Sequence, residues 1–150
     1  MKVAPETQSK KDVWIKPMEF DLPSGLIGIE DATRYELLIN EEEAPFMWIR
    51  SVTHHELGFV VVEPHQIVSD YDVEIGDEDA KTLGIENADD ALVLNIVTLR
   101  DNDIEAATVN LIAPIVINRK TGQGKQVIAV NYMKFSARHP LLADSAVSSS

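Results

Sequence analysis

The chain is cut into short apolar runs by turn residues at nearly regular intervals, and this rhythm restricts its fold more than any other feature. The runs predict strands over residues 13–16, 18–21, 35–39, 47–52, 58–63, 71–75, 92–99, 107–117 and 126–132. Short strands spaced by turn signals pack as sandwiches, rolls or barrels. The expectation is therefore an all-β, single-domain antiparallel β-barrel or roll with one or two short helical turns. The domain is expected over residues 12–142, with residues 1–11 and 143–150 as flexible ends rich in polar residues.

Three segments sharpen this picture. Leu92 to Val97 is apolar on both faces, as expected of a strand covered on both sides. Pro114 interrupts the run 107–117; because proline cannot donate to a ladder, the run should bend there and serve two sides of a closed sheet. Residues 118–125 read as a solvated hairpin loop whose Gly122 and Gly124 permit positive φ. A short helix is expected over residues 77–83, with Asp77 as N-cap, Glu78 and Asp79 favouring the positive dipole end, and Gly84 as the stop. Ala80 and Leu83 would pack it on the sheet, and residues 88–91 should form a second turn.

With 150 residues, 45% hydrophobic, the chain has the makings of one globular domain. A domain of that size buries about 68–70% of its unfolded surface. Cysteine is absent, which excludes disulfides, thiol nucleophiles and cysteine-based zinc sites. No apolar run has the length of a signal peptide or a membrane span, so a cytoplasmic protein is expected. The net charge of −12 is unevenly placed: residues 19–105 hold 22 acids against 4 Lys or Arg, while residues 106–143 hold 5 Lys or Arg and no acid. Such a field repels phosphate backbones and attracts basic partners. It also serves simple solubility.

Signals for chemistry are weak. Around Gly122-Gln123-Gly124-Lys125, Arg119 occupies the place of a phosphate loop's first glycine, and Gln126 that of its magnesium-binding Ser or Thr. His54, His55, Glu56 and His65 lack metal-ligand spacing, since neighbouring histidines on a strand would face opposite ways. His139 is expected to hydrogen-bond the C-terminal segment to the body. The acid clusters look solvated, without the desolvation that tunes a catalytic carboxylate, and Ser51, Ser69 and Ser136 lack a nucleophile elbow. Neither catalytic residues, a metal nor a cofactor is expected.

The residues also carry a resemblance. Asn95-Ile96-Val97-Thr98, the stretch Asn110-Leu111-Ile112-Ala113-Pro114-Ile115-Val116-Ile117-Asn118, Gly124-Lys125-Gln126-Val127 and Arg138-His139-Pro140-Leu141 together resemble the signature of the flagellar assembly factor FliW family. Phe20 to Glu30 is similar to the family's opening block, departing at Ile27, where proline is expected, and at Ile29, where phenylalanine is expected. Pro45 to Ser51 with Leu57 to Val62 is similar to a third block. The resemblance implies a non-enzymatic partner switch that binds flagellin and, once flagellin is exported, the RNA-binding translational regulator CsrA, relieving repression of flagellin translation. A flagellin export chaperone without regulatory role, or a small-molecule-binding barrel, are the alternatives.

A docking protein of this kind needs a desolvated apolar centre within a polar rim. The rim candidates are Glu41, Glu42, Glu43, Asp72, Glu74, Asp77, Glu78 and Asp79; the anchor candidates are Tyr71, Ile27 and Ile29. Phe46 and Trp48 are expected in the core, and the chain alone is expected to be a monomer without direct nucleic-acid or membrane contact.

Overall fold

The computed structural model describes residues 15–68, 71–100 and 103–141. The expected flexible ends, residues 1–11 and 143–150, lie outside the described residues, as does the start of the first expected strand. The two runs expected before residue 22 form one strand, β1 (Ile15–Asp21), with an irregularity between Ile15 and Met18. An antiparallel meander follows: β2 (Arg34–Ile39), β3 (Met47–Ser51) and β4 (Gly58–Val62). Alternation along β2 and β3 sends Tyr35, Leu37 and Ile49 inward and leaves Arg34 and Arg50 outside. Arg34 reaches Glu19 and Asp21 at 2.8 and 2.7 Å, and Arg50 reaches Glu36 at 2.7 Å. These exposed cross-strand pairs favour the register more than the stability.

β5 (Ala91–Arg100) is the spine. One edge takes β4; the other takes β6 (Asp103–Val109) and then β7 (Ile115–Asn118). The run expected over 107–117 is divided between the end of β6 and β7, separated at Asn110–Pro114, so the chain bends there, but both strands pair with β5 and do not serve two sides of a closed sheet. The Asn110 side chain fixes it: Oδ1 accepts from the amides of Ile112 and Ala113 at 2.9 and 3.1 Å. β8 (Gly124–Gln126) pairs with β7, and β9 (His139–Pro140) with β6. α1 (Asp77–Leu83) packs Leu83 against Val116 and Val127.

Closure is where the barrel expectation needs correction. No ladder joins β1 to β8; among the described residues they meet at one parallel bridge, Asp21 with Gln123. Asp21 donates its amide to the Gly122 carbonyl at 2.8 Å, and Gln123 Nε2 donates to Asp21 Oδ2 at 3.1 Å. β8, at three residues, is too short to carry more. Among the described residues the fold is a rolled, open sheet of nine strands with one short α-helix.

Two cores lie on opposite faces of this sheet. The inner one gathers Phe20, Leu22, Tyr35, Ile49, Leu94, Ile115 and Ile117, with the Phe20 and Tyr35 rings stacked at 5.9 Å. The outer one packs Val62, Val97, Val109 and Leu111 beneath Tyr71 and Leu141. β5 feeds both, as its two apolar faces imply. A fully buried Leu, Ile or Val contributes about 1.5–3 kcal/mol, so these clusters carry the fold.

Other local expectations are corrected too. Residues 71–75 form no ladder: that segment runs extended beside residues 128–132, with Val130 donating to the Glu74 carbonyl at 2.8 Å. Beyond Gln126 the expected strand 126–132 gives way to irregular backbone. The N-cap of α1 is Gly76 rather than Asp77. Of the two hairpin glycines only Gly122 has positive φ; Gly124 is buried because a Cβ there would come within 2.9 Å of Ile117. The hairpin is also less solvated than expected, since Asn118 is buried within it. His54 and His55 sit exposed in the turn between β3 and β4 rather than on a strand. His139 docks through its backbone ladder to Val109, and its Nε2 is buried without a hydrogen-bond partner among the described residues.

Candidate partner-docking site

The loop after β1 is shaped by two glycines. Gly25 (φ +70°) and Gly28 (φ +89°) flank a tight turn in which the amides and carbonyls of Leu26 and Ile29 exchange hydrogen bonds at 3.0 and 2.8 Å. Positive φ at the third turn position is what a type II turn requires, with proline favoured at the second. Ile27 holds that second position, so the turn survives the absence of proline. Its amide, which proline would lack, donates to Gln126 Oε1 at 2.7 Å. Ile27 is 61% exposed at the tip, whereas Ile29 is half-buried against the inner core. Gly25→Ala would put a Cβ 2.5 Å from Glu30 Cα. It should lower stability by at least about 1–3 kcal/mol, read as a lower denaturation midpoint.

On the outer face of β3, Trp48 stands between Leu38 and Val60 of the neighbouring strands and remains 37% exposed. This corrects the core expectation for Trp48; Phe46 and Phe59 are half-buried against the outer and inner cores. The preceding 3-10 turn, Glu41–Glu43, is capped by Asn40, whose Oδ1 accepts from the Glu42 amide at 3.0 Å. All three glutamates are exposed, and Glu43 Oε1 accepts from Trp48 Nε1 at 3.2 Å. Two open hollows meet at Trp48, Val60 and Leu99. One, about 370 Å³, extends to Phe46, Glu42 and Glu43; the other, about 440 Å³, extends to Ile27, Ile29 and Gly58. The structure thus joins Ile27, Ile29, Glu42 and Glu43 from the sequence candidates into one apolar trough with an acidic end.

The remaining candidates lie elsewhere. Tyr71 is 4% exposed, its hydroxyl donating to the Leu111 carbonyl at 2.6 Å and its ring 4.8 Å from that of Phe135. Burial raises its pKa, and it is a core residue, not a surface anchor. Asp72, Glu74, Asp77 and Glu78 are exposed around an apolar ridge of Ile128, Val130, Tyr132 and Met133 that the sequence reading missed. Asn131 ties ridge to acids, accepting from the Glu74 amide at 2.9 Å and donating to the Asp72 carbonyl at 2.8 Å. Asp79 is half-buried in an ion pair with Lys125 at 2.6 Å, so it leaves the rim. The alternation of Val127 and Ala129 inward with Ile128 and Val130 outward was the available signal for the ridge.

An open apolar trough with a carboxylate rim on a sheet has the make-up of a protein-docking surface. Comparison with known proteins specifies which kind. The family model described as FliW protein matches residues 6–141. Flagellar assembly factors FliW from Natranaerobius thermophilus and Clostridium novyi are 36% and 39% identical, over 81% and 83% of this chain and 80% and 85% of theirs. A crystal structure of the flagellar assembly factor FliW superposes with a TM-score of 0.74 at 30% identity, covering 84% of this chain and 86% of that one. The chain belongs to the FliW family of non-enzymatic flagellar assembly factors.

Proposed function

We propose that this protein acts in the cytoplasm by reversible docking alone, binding flagellin and alternatively a CsrA-type translational regulator, and that its occupancy of the regulator relieves repression of flagellin mRNA translation. The observation that supports this reading best is the Trp48 trough, which combines exposed apolar side chains with an acidic end. An RNA-binding regulator is basic where it meets RNA, so the carboxylates favour its approach and disfavour the RNA itself. Alternative occupancy is a difference in affinity between two partners on one scaffold and needs no bond making or breaking.

The experiment adds the protein to a preformed regulator–RNA complex. Release of RNA, reversed by added flagellin, is the expected outcome. A chaperone that only holds flagellin would leave the RNA bound and so overturn the regulatory part. Replacing Glu41, Glu42 and Glu43 with lysine should slow association with the regulator about tenfold at low salt and flatten its salt dependence. Because all three side chains are exposed, the thermal midpoint should hardly move. Stopped-flow association over a salt series checks this, and equal rates for both proteins would remove charge steering.

A further inference from the structure

β4 and β5 pair at Val60 with Val97, Val61 with Ile96 and Val62 with Asn95, and their ladder ends there although both strands continue. Beyond it, among the described residues, Gly58 and Phe59 keep a partner only on the β3 side, and Thr98 only on the β6 side. The strands have diverged, and the hollow of about 440 Å³ includes the wedge between them. At its β4 side stands Gly58, whose missing Cβ would touch only the Ile49 carbonyl, at 3.6 Å. Ile27, Trp48, Val60 and Leu99 flank the opening, and the adjoining hollow ends at Glu42 and Glu43. Among the described residues, no Lys or Arg lines either hollow.

The geometry points to a strand-shaped ligand. We propose that the wedge receives an extended segment of the cationic regulator, apolar at alternate residues, with Lys or Arg at the end lying against Glu42 and Glu43. This rests on the proposed function and adds the form of the bound segment. Diverging strand ends present backbone groups that only another extended backbone can pair, while flanking apolar side chains receive alternate side chains. A helix satisfies its own backbone and is about 10–12 Å wide with side chains, so it would leave those edges unpaired. The exposed carboxylates of Glu42 and Glu43 at the end of the trough supply the charge complement.

Gly58→Leu tests this, because the open space at Gly58 admits a side chain without displacing the sheet. The variant should keep the wild-type thermal midpoint and bind the purified regulator about tenfold or more weakly, about 1.4 kcal/mol. In the wild-type complex, amide hydrogen exchange should slow within residues 58–59 and 98–99. Wild-type affinity in Gly58→Leu, or unchanged exchange at those amides in a complex that does form, would overturn the wedge and leave the proposed function standing. Protection that appears with rising concentration of this chain alone would assign the wedge to a second copy and overturn the proposal. Failure of the wild-type protein to bind either regulator or flagellin would overturn both readings together.

Discussion

Trp48→Ala is expected to weaken partner binding about 30-fold or more, the loss of roughly 2 kcal/mol typical of a central aromatic anchor. Trp48 lies where the two hollows meet, is held by Val60 and Leu38 on either side, and is oriented by its hydrogen bond to Glu43. The sheet should survive the change, because the inward side chain of β3 is its neighbour Ile49, fully buried in the inner core. Calorimetric titration with flagellin and with the regulator, beside thermal unfolding of the free variant, separates the two effects. Full affinity in a folded Trp48→Ala protein would move the docking surface away from the trough, with the ridge at Ile128 to Met133 as the next place to test. Met133, at 85% exposed, is the most open large apolar side chain there.

The second large effect concerns stability. Asn118→Ala should cost about 3 kcal/mol or more, because one buried amide side chain satisfies backbone groups of two separate segments. Its Nδ2 donates to the carbonyls of Leu83 and Gly84 at 2.8 and 3.3 Å, ending α1. Its Oδ1 accepts from the amides of Lys120 and Thr121 at 2.8 and 3.3 Å, shaping the β7–β8 hairpin. Leaving a buried polar group unpaired costs about 1–3 kcal/mol, which the Leu83 carbonyl would bear, and the three part-buried bonds to Gly84, Lys120 and Thr121 are lost with it. At about 2–4 °C per kcal/mol for a domain of this size, the thermal midpoint should fall by about 6–12 °C. A midpoint within a degree or two of wild type would show that solvent replaces those bonds without cost.

Particular residues explain what the sequence could convey. The two-faced apolar pattern of Leu92 to Val97 identified the spine strand, because burial on both sides leaves no room for a polar face. Pro114 identified the bend, since a missing donor cannot be hidden in a ladder. Residues 71–75 and 126–132 misled for a shared reason: each has strand-like alternation, yet their hydrogen bonds go to one another, to Asn131 and to the carbonyls of Ile112 and Pro114 instead of to a continuous ladder. Periodicity reports which side chains are buried, not which backbone they pair with. Tyr71 was misjudged on the same ground, for nothing local shows that Leu111, forty residues away, supplies its acceptor. The trough was half legible: Glu42, Glu43, Ile27 and Ile29 stood out, while Trp48 looked like core because nothing local shows that the outer face of β3 is left partly uncovered there. Asp79 could not be separated from Asp77 and Glu78 without the position of Lys125.

The single bridge between Asp21 and Gln123 has a consequence for how the molecule assembles. Strands β1 to β4 each pair with their sequence neighbour, so the meander can zip from local turns, whereas this stitch spans 102 residues and gains only a few hydrogen bonds. Closing so long a loop is entropically repaid only after the intervening strands are already in place. The seam is thus expected to fasten last during folding and to open first, so that amide exchange at Asp21 should be faster than along the β2–β3 ladder.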